Sequence, residues 1–459
     1  MSDHTVDRLA AYSDSLRYED LPSEVVHQAK RVLVDSLGCG LGAFASEPAR
    51  IARELAATVH GESQATVLGT RTRTTPDVAA FANGVMVRYL DFNDAYIGSH
   101  PSDNLPVVLA AAEASGASGQ ELITGCALAY EVQAAWVDSF SLREGVWDQA
   151  VYSASSMPLG AGKVMGLSRA QLAEALRMAV VGGMALGQAR RENISHWKAA
   201  AVPNTGRNGV FAAMLARRGF TGPEAIFEGL QGFFAGITGK PIELAPLAGE
   251  NGNDQPFRIL ESRVKRFPAG IFSQTAVEGA LEARERLGIT GERDVWNVHI
   301  RTFEQAVFSM AGHPSRWHPE TRETADHSIP YVVACALQFG SVEPAHFDEE
   351  LLSSPELLAL MQKITVVEDA ECQAAWPEAT LSIVTVGRTD GGQHTARIPY
   401  HLGHSKRPVS DAEIDAKFRG LTRGLMNESE QDAALDALWH VEQATDLRAV
   451  LDLLAVQGH

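Results

Sequence analysis

The chain has few of the residues that build disulfide frameworks and thiolate metal sites. Its 459 residues include only four cysteines, Cys39, Cys126, Cys335 and Cys372, and no two of them form a CxxC pair. Such scattered spacing argues against a disulfide framework and against a four-thiolate zinc or iron–sulfur site. We therefore expect no metal and no cofactor, and we expect each cysteine to be a small buried apolar residue.

Long apolar runs and an excess of basic residues are also missing. No stretch is long enough to span a membrane, and the N-terminus lacks a basic region followed by an apolar one, so we expect a cytoplasmic protein. Lys and Arg total 39 against 57 Asp and Glu, which gives a formal net charge of -18. That charge argues against nucleic acid as a partner. It still allows a small anionic substrate in a locally positive pocket.

Several familiar catalytic motifs are absent. The sequence has no GxGxxG after a strand, no GxxxxGK[ST], no HExxH and no GxSxG. Apolar residues make up 45% of the chain and charged residues 21%, which is typical of a globular protein. The chain is too long for one ordinary core, so two domains are expected.

The first 250 or so residues have the signals of packed helices. Capping boxes at Ser118 with Glu121 and at Ser168 with Gln171 precede apolar residues at helical spacing. Many of the helix faces are rich in Ala and Gly, which favours close packing between helices.

The pattern changes near residue 268. VWNVHIRTF, ITVVED and ATLSIVTV are typical of strands, and Asp390-Gly391 before QHTARIPY is a hairpin signal. Helical patterns lie between these segments and return after Tyr400. We predict a mainly α protein with an α+β domain, divided into a large helical domain at 1–268, a smaller α+β domain at 269–402 and C-terminal helices at 403–459 that return to the helical domain.

The loop DFNDAYIGSHPSDN concentrates ionisable side chains between two helical patterns. Asp91 is expected at a helix C-terminus, where the dipole raises the proton affinity of a carboxylate and suits a general base or a residue that orients one. His100 precedes a helix expected to begin near Ser102, where free backbone N–H groups favour anions. The alternative is that Asp91, Asp94 and Ser102 are only caps and turn formers.

Three further segments carry candidate residues. Lys198, beside Trp197 in ARRENISHWKAAAVPNTGRNG, is either a partly desolvated cation or part of a solvated basic surface. Lys265, in VKRFPAGIFSQTA, is either a pocket residue at the domain junction or a linker lysine. His327 and Tyr331, in ETADHSIPYVVACAL, share a helical face, where such side chains are usually hydrogen-bonded core residues.

Together these segments resemble the MmgE/PrpD family over nearly the whole chain. The motifs that carry the resemblance are DFND…HPSDNLP (91–106), HWKAAAVPNTGRNGVFAA (196–213), KRFPAGIFSQTAVE (265–278) and TRETADHSIPY (321–331). The family includes 2-methylcitrate dehydratase, cis-aconitate decarboxylase and iminodisuccinate epimerase. The resemblance implies a helical domain with a smaller α+β lid domain, a homodimer, and a reaction that uses no iron–sulfur cluster.

The resemblance also implies a site at the domain interface. Asp91 and His100 match the family's Asp and His of the loop motif. Lys198 matches the lysine of the WK segment, and Lys265 matches the lysine three residues before the motif proline. Tyr331 matches the tyrosine that closes the DHSxPY motif. We expect these five to be catalytic, and we expect substrate to be bound by Ser102, Tyr152, His196 and His327.

The sequence departs from the family pattern at three places. Ala95 stands where relatives commonly have Thr, Gln149 where they often have His, and Phe272 where a His is common. A Thr could hold a carboxylate or a water molecule, and a His could transfer a proton. These departures indicate an altered substrate or reaction.

The chemistry implied by the resemblance is proton transfer at a carbon next to a carboxylate. We expect a dehydratase-type lyase that acts on a small di- or tricarboxylate such as 2-methylcitrate, with His100 moving the proton, Asp91 orienting it, the lysines neutralising carboxylates and Tyr331 donating a proton or hydrogen bond. The alternatives are an epimerase or isomerase, a decarboxylase, and a non-catalytic carboxylate-binding protein. No nucleic acid or membrane partner is expected.

Overall fold

The computed structural model describes residues 3–142 and 146–456. They form a mainly α protein with an α+β domain, which confirms the predicted fold class. The N-terminal part is helical apart from the short antiparallel pair β1 (Ala65–Thr66) and β2 (Arg73–Thr74). Its helices are α1 (His4–Ser15), α2 (Ser23–Gly42), α3 (Glu47–Ala57), α4 (Pro76–Tyr89), α5 (Leu105–Ser115), α6 (Gly119–Ser139), α7 (Ala150–Val164), α8 (Arg169–Gly182), α9 (Trp197–Arg217) and α10 (Phe233–Ile237).

The helices begin where the capping signals stand and pack closely where small residues allow it. Both capping boxes are present, at the N-termini of α6 and α8. Gly84 of α4 lies against Pro203 of α9, so close that an added Cβ would lie 2.9 Å from Pro203 Cβ. This contact brings together the helix that leads to the 91–104 loop and the helix that carries Lys198.

The α+β domain contains a sheet with strand order β4-β3-β5-β6. Strand β3 is parallel to β4 and antiparallel to β5, and β5 forms a hairpin with β6 at the predicted Asp390-Gly391 turn. The three predicted strands are confirmed as β3, β4 and β5. The elements of this domain are α11 (Gln274–Leu287), β3 (Val295–Thr302), α12 (Glu304–Met310), α13 (Arg322–Ala325), α14 (Ile329–Phe339), α15 (Glu349–Leu352), α16 (Pro355–Gln362), β4 (Ile364–Glu368), α17 (Ala370–Ala375), β5 (Ser382–Arg388) and β6 (Gln393–Ile398).

The chain returns to helix after the sheet, with α18 (Asp411–Leu421), α19 (Glu428–Trp439) and α20 (Leu447–Asp452). Ile414 and Phe418 of α18 and Leu435 of α19 are buried in the same apolar core as the N-terminal helices. The α+β domain has a core of its own, built around α11, α14 and the sheet. Across residues 3–142 and 146–456, none of the helices is both long enough and apolar enough for a membrane span.

Candidate active site between the helical and α+β domains

A cavity of about 700 Å³ lies where the two cores meet. This volume lies within the range of about 300–1,000 Å³ typical of small-molecule sites. The helical side contributes charged and polar residues, among them Arg88, Asp91, His100, Gln149, Tyr152 and Arg190. The α+β side contributes the apolar residues Ile271, Phe272, Phe308, Met310 and Trp376 together with the polar residues Glu304, Gln305, Ser309, His327 and Gln373.

Asp91 lies at the floor of the cavity, just after α4 ends, with its backbone in the left-handed region at φ 49°. The strain of that conformation in a non-glycine residue is a common feature of functional sites. Its Oδ1 accepts hydrogen bonds from Arg88, one helical turn earlier, and from Lys265 Nζ at 2.9 Å. Lys265 Nζ also donates to the Asp91 carbonyl oxygen at 2.7 Å. Among the residues that the structure describes, Asp91 Oδ2 has no hydrogen-bond partner.

The charge state of Asp91 differs from the sequence prediction. Burial raises the pKa of this carboxyl, but the nearby charges of Arg88, Lys265 and Lys198 outweigh burial and hold the pKa well below its ordinary value. The predicted increase in proton affinity at the helix end is therefore wrong. A helix end carries about half an elementary charge, whereas the cations around Asp91 carry a full charge each. Asp91 is a permanently ionised carboxylate.

His100 is held as a neutral imidazole with one free nitrogen. Its Nδ1 lies 2.7 Å from the Asp94 carbonyl oxygen, which can only accept, so Nδ1 carries the proton and Nε2 carries the lone pair. Burial, together with the charges of Arg88 and Lys265, keeps the pKa of His100 well below its ordinary value. Asp91 Oδ1 lies 3.9 Å from Nε2. The Asp94 carbonyl, rather than Asp91, therefore orients this ring.

Ser102 supports the same loop instead of facing the cavity. Its backbone N–H donates to Asp94 Oδ1 at 3.1 Å, and its hydroxyl accepts from Asn93 at 2.9 Å. Tyr130 donates to the other oxygen of Asp94 at 3.1 Å. The predicted role of Ser102 in substrate binding is thus replaced by a role in holding the loop that presents His100.

A second imidazole faces the cavity from the α+β domain. His327 Nδ1 lies 2.6 Å from Asp326 Oδ1, so its Nε2 also carries the lone pair. Lys198 Nζ, reaching across from α9, donates to both oxygens of Asp326 at 2.5 and 2.6 Å. Burial and the charge of Lys198 lower the pKa of His327 to about 4. His327 is thus a neutral cavity residue, as its predicted role in substrate binding requires.

Two predicted site residues lie away from the cavity, and a third lines it with its hydroxyl bound to the protein itself. The Tyr331 hydroxyl donates to the His346 carbonyl at 2.6 Å inside the α+β core, so we assign it no catalytic role. His196 lies at the protein surface with its side chain 52% exposed, 3.9 Å from Glu323. Tyr152 does line the cavity, but its hydroxyl donates to the Phe140 carbonyl at 2.9 Å.

The two predicted lysines lie near the site, but each forms an ion pair with a buried carboxylate of the protein. Lys198 is bound to Asp326 and Lys265 to Asp91, and neither is among the residues that line the cavity. Burial, partly offset by Asp91, lowers the pKa of Lys265 to about 8. Their positive charges stabilise buried carboxylates, and their predicted roles toward the substrate stay predictions.

The sequence reasoning missed Arg88 and Asp326 and gave Arg190 no specific role. Arg88 is fully buried and binds Asp91, and its signal was its place in the last turn of α4, three residues before Asp91. Asp326 stands directly before His327 in the ADHSIPY motif. Arg190 lines the cavity, where Asp148 accepts from its Nε at 2.6 Å, and its Nη1 has no partner among the described residues. Arg190 therefore brings a cation to the cavity wall, where Asp148 already pairs with it.

Two of the three departures from the family pattern line the cavity, Gln149 and Phe272. With its amide oxygen toward Arg190, Gln149 accepts from Nη2 at 3.1 Å and donates to the Gly98 carbonyl at 3.2 Å. Ala95 is fully buried behind the loop, where its backbone pairs with Arg263 at 2.9 and 2.7 Å. Ala95 therefore acts on the site only through the position of this loop.

Asp91, Asp326 and His327 bring one ligand atom each within 4.8 Å of one another, which is a spacing that a metal ion could use. The carboxylates of this group are already neutralised, because Asp326 binds Lys198 and Asp91 binds Lys265 and Arg88. A divalent cation would be placed beside three buried positive charges. The donor set does not fit a metal site.

Comparison with known proteins gives a consistent picture. Models of the MmgE/PrpD N-terminal domain and of the MmgE/PrpD C-terminal domain match residues 7–245 and 267–443. The chain is 30% identical to 2-methylcitrate dehydratase of Escherichia coli (strain K12) over 421 residues, covering 85% of this chain and 84% of that protein. It is 30% identical to 2-methylcitrate dehydratase of Salmonella typhi over 455 residues, covering 92% of each. It is 25% identical to human cis-aconitate decarboxylase over 458 residues, covering 96% of this chain and 92% of that protein. The domain limits at 268 and 402 stay predictions.

Proposed function

The chain belongs to the MmgE/PrpD family, and we propose that it is a cofactor-independent lyase of the dehydratase type that acts on a small di- or tricarboxylate. The relatives named above are dehydratases and a decarboxylase, which supports lyase-type activity for the family. The proposal also includes the homodimer and the cytoplasmic location expected from the sequence.

The observation that carries the proposal is a neutral imidazole beside an ionised carboxylate in a cavity that is also lined by the guanidinium groups of Arg190 and Arg191. His100 Nε2 has a lone pair and lies 3.9 Å from Asp91 Oδ1. An imidazole that takes a proton there becomes a cation, which Asp91 favours and which burial, Arg88 and Lys265 disfavour, so it gives the proton up again readily. This is the arrangement that removal of a proton next to a substrate carboxylate requires.

The proposed reaction uses His100 as both base and acid. Its Nε2 takes the proton from the carbon next to a substrate carboxylate, and the imidazolium returns that proton to the hydroxyl leaving the adjacent carbon. The products are an unsaturated carboxylate and water. Arg190 and Arg191, which line the cavity, bind carboxylate groups, and His327 Nε2 accepts a hydrogen bond from the substrate hydroxyl.

A panel of hydroxylated di- and tricarboxylates, including 2-methylcitrate, tests this proposal in deuterated water. We expect loss of water from at least one substrate, and deuterium at the α-carbon of recovered substrate through reversal of the proton removal, measured by mass spectrometry and NMR. Inverted configuration with deuterium at that carbon and no loss of water would identify an epimerase, and loss of carbon dioxide would identify a decarboxylase. Binding of carboxylates without exchange or product would overturn the proposal in favour of a non-catalytic binding protein.

A further inference from the structure

The α+β side of the cavity ends in a cluster of aromatic rings, which we call the aromatic wall: Phe272, Phe303 and Trp376. Phe272 and Trp376 line the cavity, and Phe303 is buried behind them. Phe303 and Trp376 are stacked with centroids 4.5 Å apart, and Phe272 meets both edge-on at 5.4 and 5.3 Å. Such a cluster fixes ring positions and presents a rigid apolar surface.

The aromatic wall stands directly beside the proposed catalytic group. An added Cβ on Gly98, two residues before His100, would lie 3.3 Å from Phe272 Cζ. The tip of the Phe272 ring therefore packs on the loop that presents His100. A molecule whose reacting carbon lies at His100 has the aromatic wall within reach of a substituent on that carbon.

Further apolar side chains line the cavity beside polar ones. Ile97, Ile271, Met310 and Phe308 line it together with Glu304, Gln305, Ser309 and Gln373, and the Arg191 guanidinium lies over the Phe308 ring at 4.6 Å from the centroid. A volume of about 700 Å³ leaves room for a further substituent beside a small carboxylate. Water left against apolar walls costs free energy that an apolar substituent would recover.

The aromatic wall lies beside His100. From this juxtaposition we propose that the substrate is a di- or tricarboxylate whose reacting region carries an apolar substituent larger than methyl. This inference rests on the proposed function. The carboxylates lie toward Arg190 and Arg191, and the substituent packs on the aromatic wall. Phe272 is then the residue that determines specificity for that substituent.

Binding of unreactive probes tests this inference separately from turnover. Succinate, 2-methylsuccinate, 2-butylsuccinate and 2-benzylsuccinate lack a leaving hydroxyl, and their dissociation constants are measured by calorimetry with the full-length protein. We expect the butyl or the benzyl compound to bind about tenfold or more tightly than succinate, as for apolar groups that fill an apolar pocket.

Substitutions of Phe272 test whether the aromatic wall causes the preference for the larger substituents. F272H should reduce the preference for the benzyl compound over succinate by about tenfold, whereas F272L, which keeps an apolar surface, should retain most of it. F220H makes the same change at an exposed position outside the cavity and should leave the preference unchanged. Melting curves of all three variants show whether each is folded. The four dissociation constants of the wild-type protein test the inference independently of the variants.

The outcomes separate the two proposals. Equal affinity for all four probes, or an unchanged preference in folded F272H, would overturn the inference and leave the proposed function standing. Failure of every probe to bind, together with no turnover in the hydroxylated panel, would overturn the proposed function itself.

Discussion

At the scale of single residues, the two cavity histidines share the same protonated nitrogen although their rings are held by different partners. A carbonyl oxygen fixes the ring of His100, and the carboxylate of Asp326 fixes that of His327. In both rings Nδ1 carries the proton and Nε2 is left with its lone pair. Burial keeps the pKa of each imidazole below its ordinary value, so both are neutral at physiological pH.

The pH dependence of activity follows from these pKa shifts. A base with a lowered pKa is fully active at neutral pH and is lost only as the pH falls through that lowered value, which is about 4 for His327. We expect neither imidazole to titrate between about pH 8 and about pH 5, the range in which an ordinary histidine would do so, and therefore no histidine limb in kcat/KM there. An acid limb with a midpoint near the ordinary histidine value would contradict this charge assignment.

Lys198 should matter more for stability than for substrate binding. K198M would leave the buried carboxylate of Asp326 without its lysine partner, and removing one partner of a buried ion pair typically costs about 3–5 kcal/mol. K406M removes an exposed lysine from its pair with Glu378 and should leave the midpoint of urea unfolding nearly unchanged. A folded K198M protein of normal stability but weakened carboxylate binding would restore the direct role predicted from the sequence.

At the scale of elements, the site depends on how closely α4 and α9 approach each other. Helix α4 leads to Asp91, and α9 places Lys198 in its first turn, so their separation fixes both charged groups. Gly84 permits this approach because a Cβ at that position would collide with Pro203. The packing of two helices thus becomes a constraint on the chemistry.

This constraint can be measured with a pair of matched substitutions. G84A should destabilise the protein by about 1–3 kcal/mol, the typical cost of overpacking, although alanine favours helix. G420A adds the same methyl group in α18, where nothing lies within 4 Å, and should be neutral or slightly stabilising. Equal effects of the two substitutions on chemical unfolding would show that the α4–α9 contact is not tight.

The elements were predictable where local signals were strong. Capping residues predicted α6 and α8, and alternating apolar residues with the Asp390-Gly391 turn predicted β3 to β6 in part. The site was predictable only as a set of motifs, because the motifs name residues but not their partners. The bond between Lys198 and Asp326 joins residues 128 positions apart, and the contact of Lys265 with Asp91 joins residues 174 apart. Only the packed fold shows that such charges are already paired.

At the scale of the whole molecule, an apolar patch on the helical domain supports the predicted homodimer. Ile51 and Leu55 lie one turn apart on α3 and are about half exposed, as is Trp197 at the start of α9. His196 lies 4.0 Å from Glu47, one turn before Ile51, so the two helix segments are neighbours. Exposed apolar side chains grouped in this way are typical of an interface.

The patch gives a direct test of assembly. We expect light scattering at micromolar concentration to give twice the chain mass, and we expect L55E to shift the protein toward monomer because a carboxylate would be buried in the interface. L230E places the same charge at a highly exposed leucine and serves as the control. A monomeric wild-type protein would show that the homodimer prediction is wrong.

The central claim is that His100 moves a proton to and from the carbon next to a substrate carboxylate. The most direct measurement is the initial rate of deuterium incorporation at that carbon in deuterated water, using the substrate of the panel that the wild-type protein converts fastest. H100Q should lower this rate by about 100-fold or more, the usual contribution of a general acid–base group, while H440Q at an exposed site should leave it unchanged. A folded H100Q protein that exchanges deuterium at the wild-type rate would contradict the account.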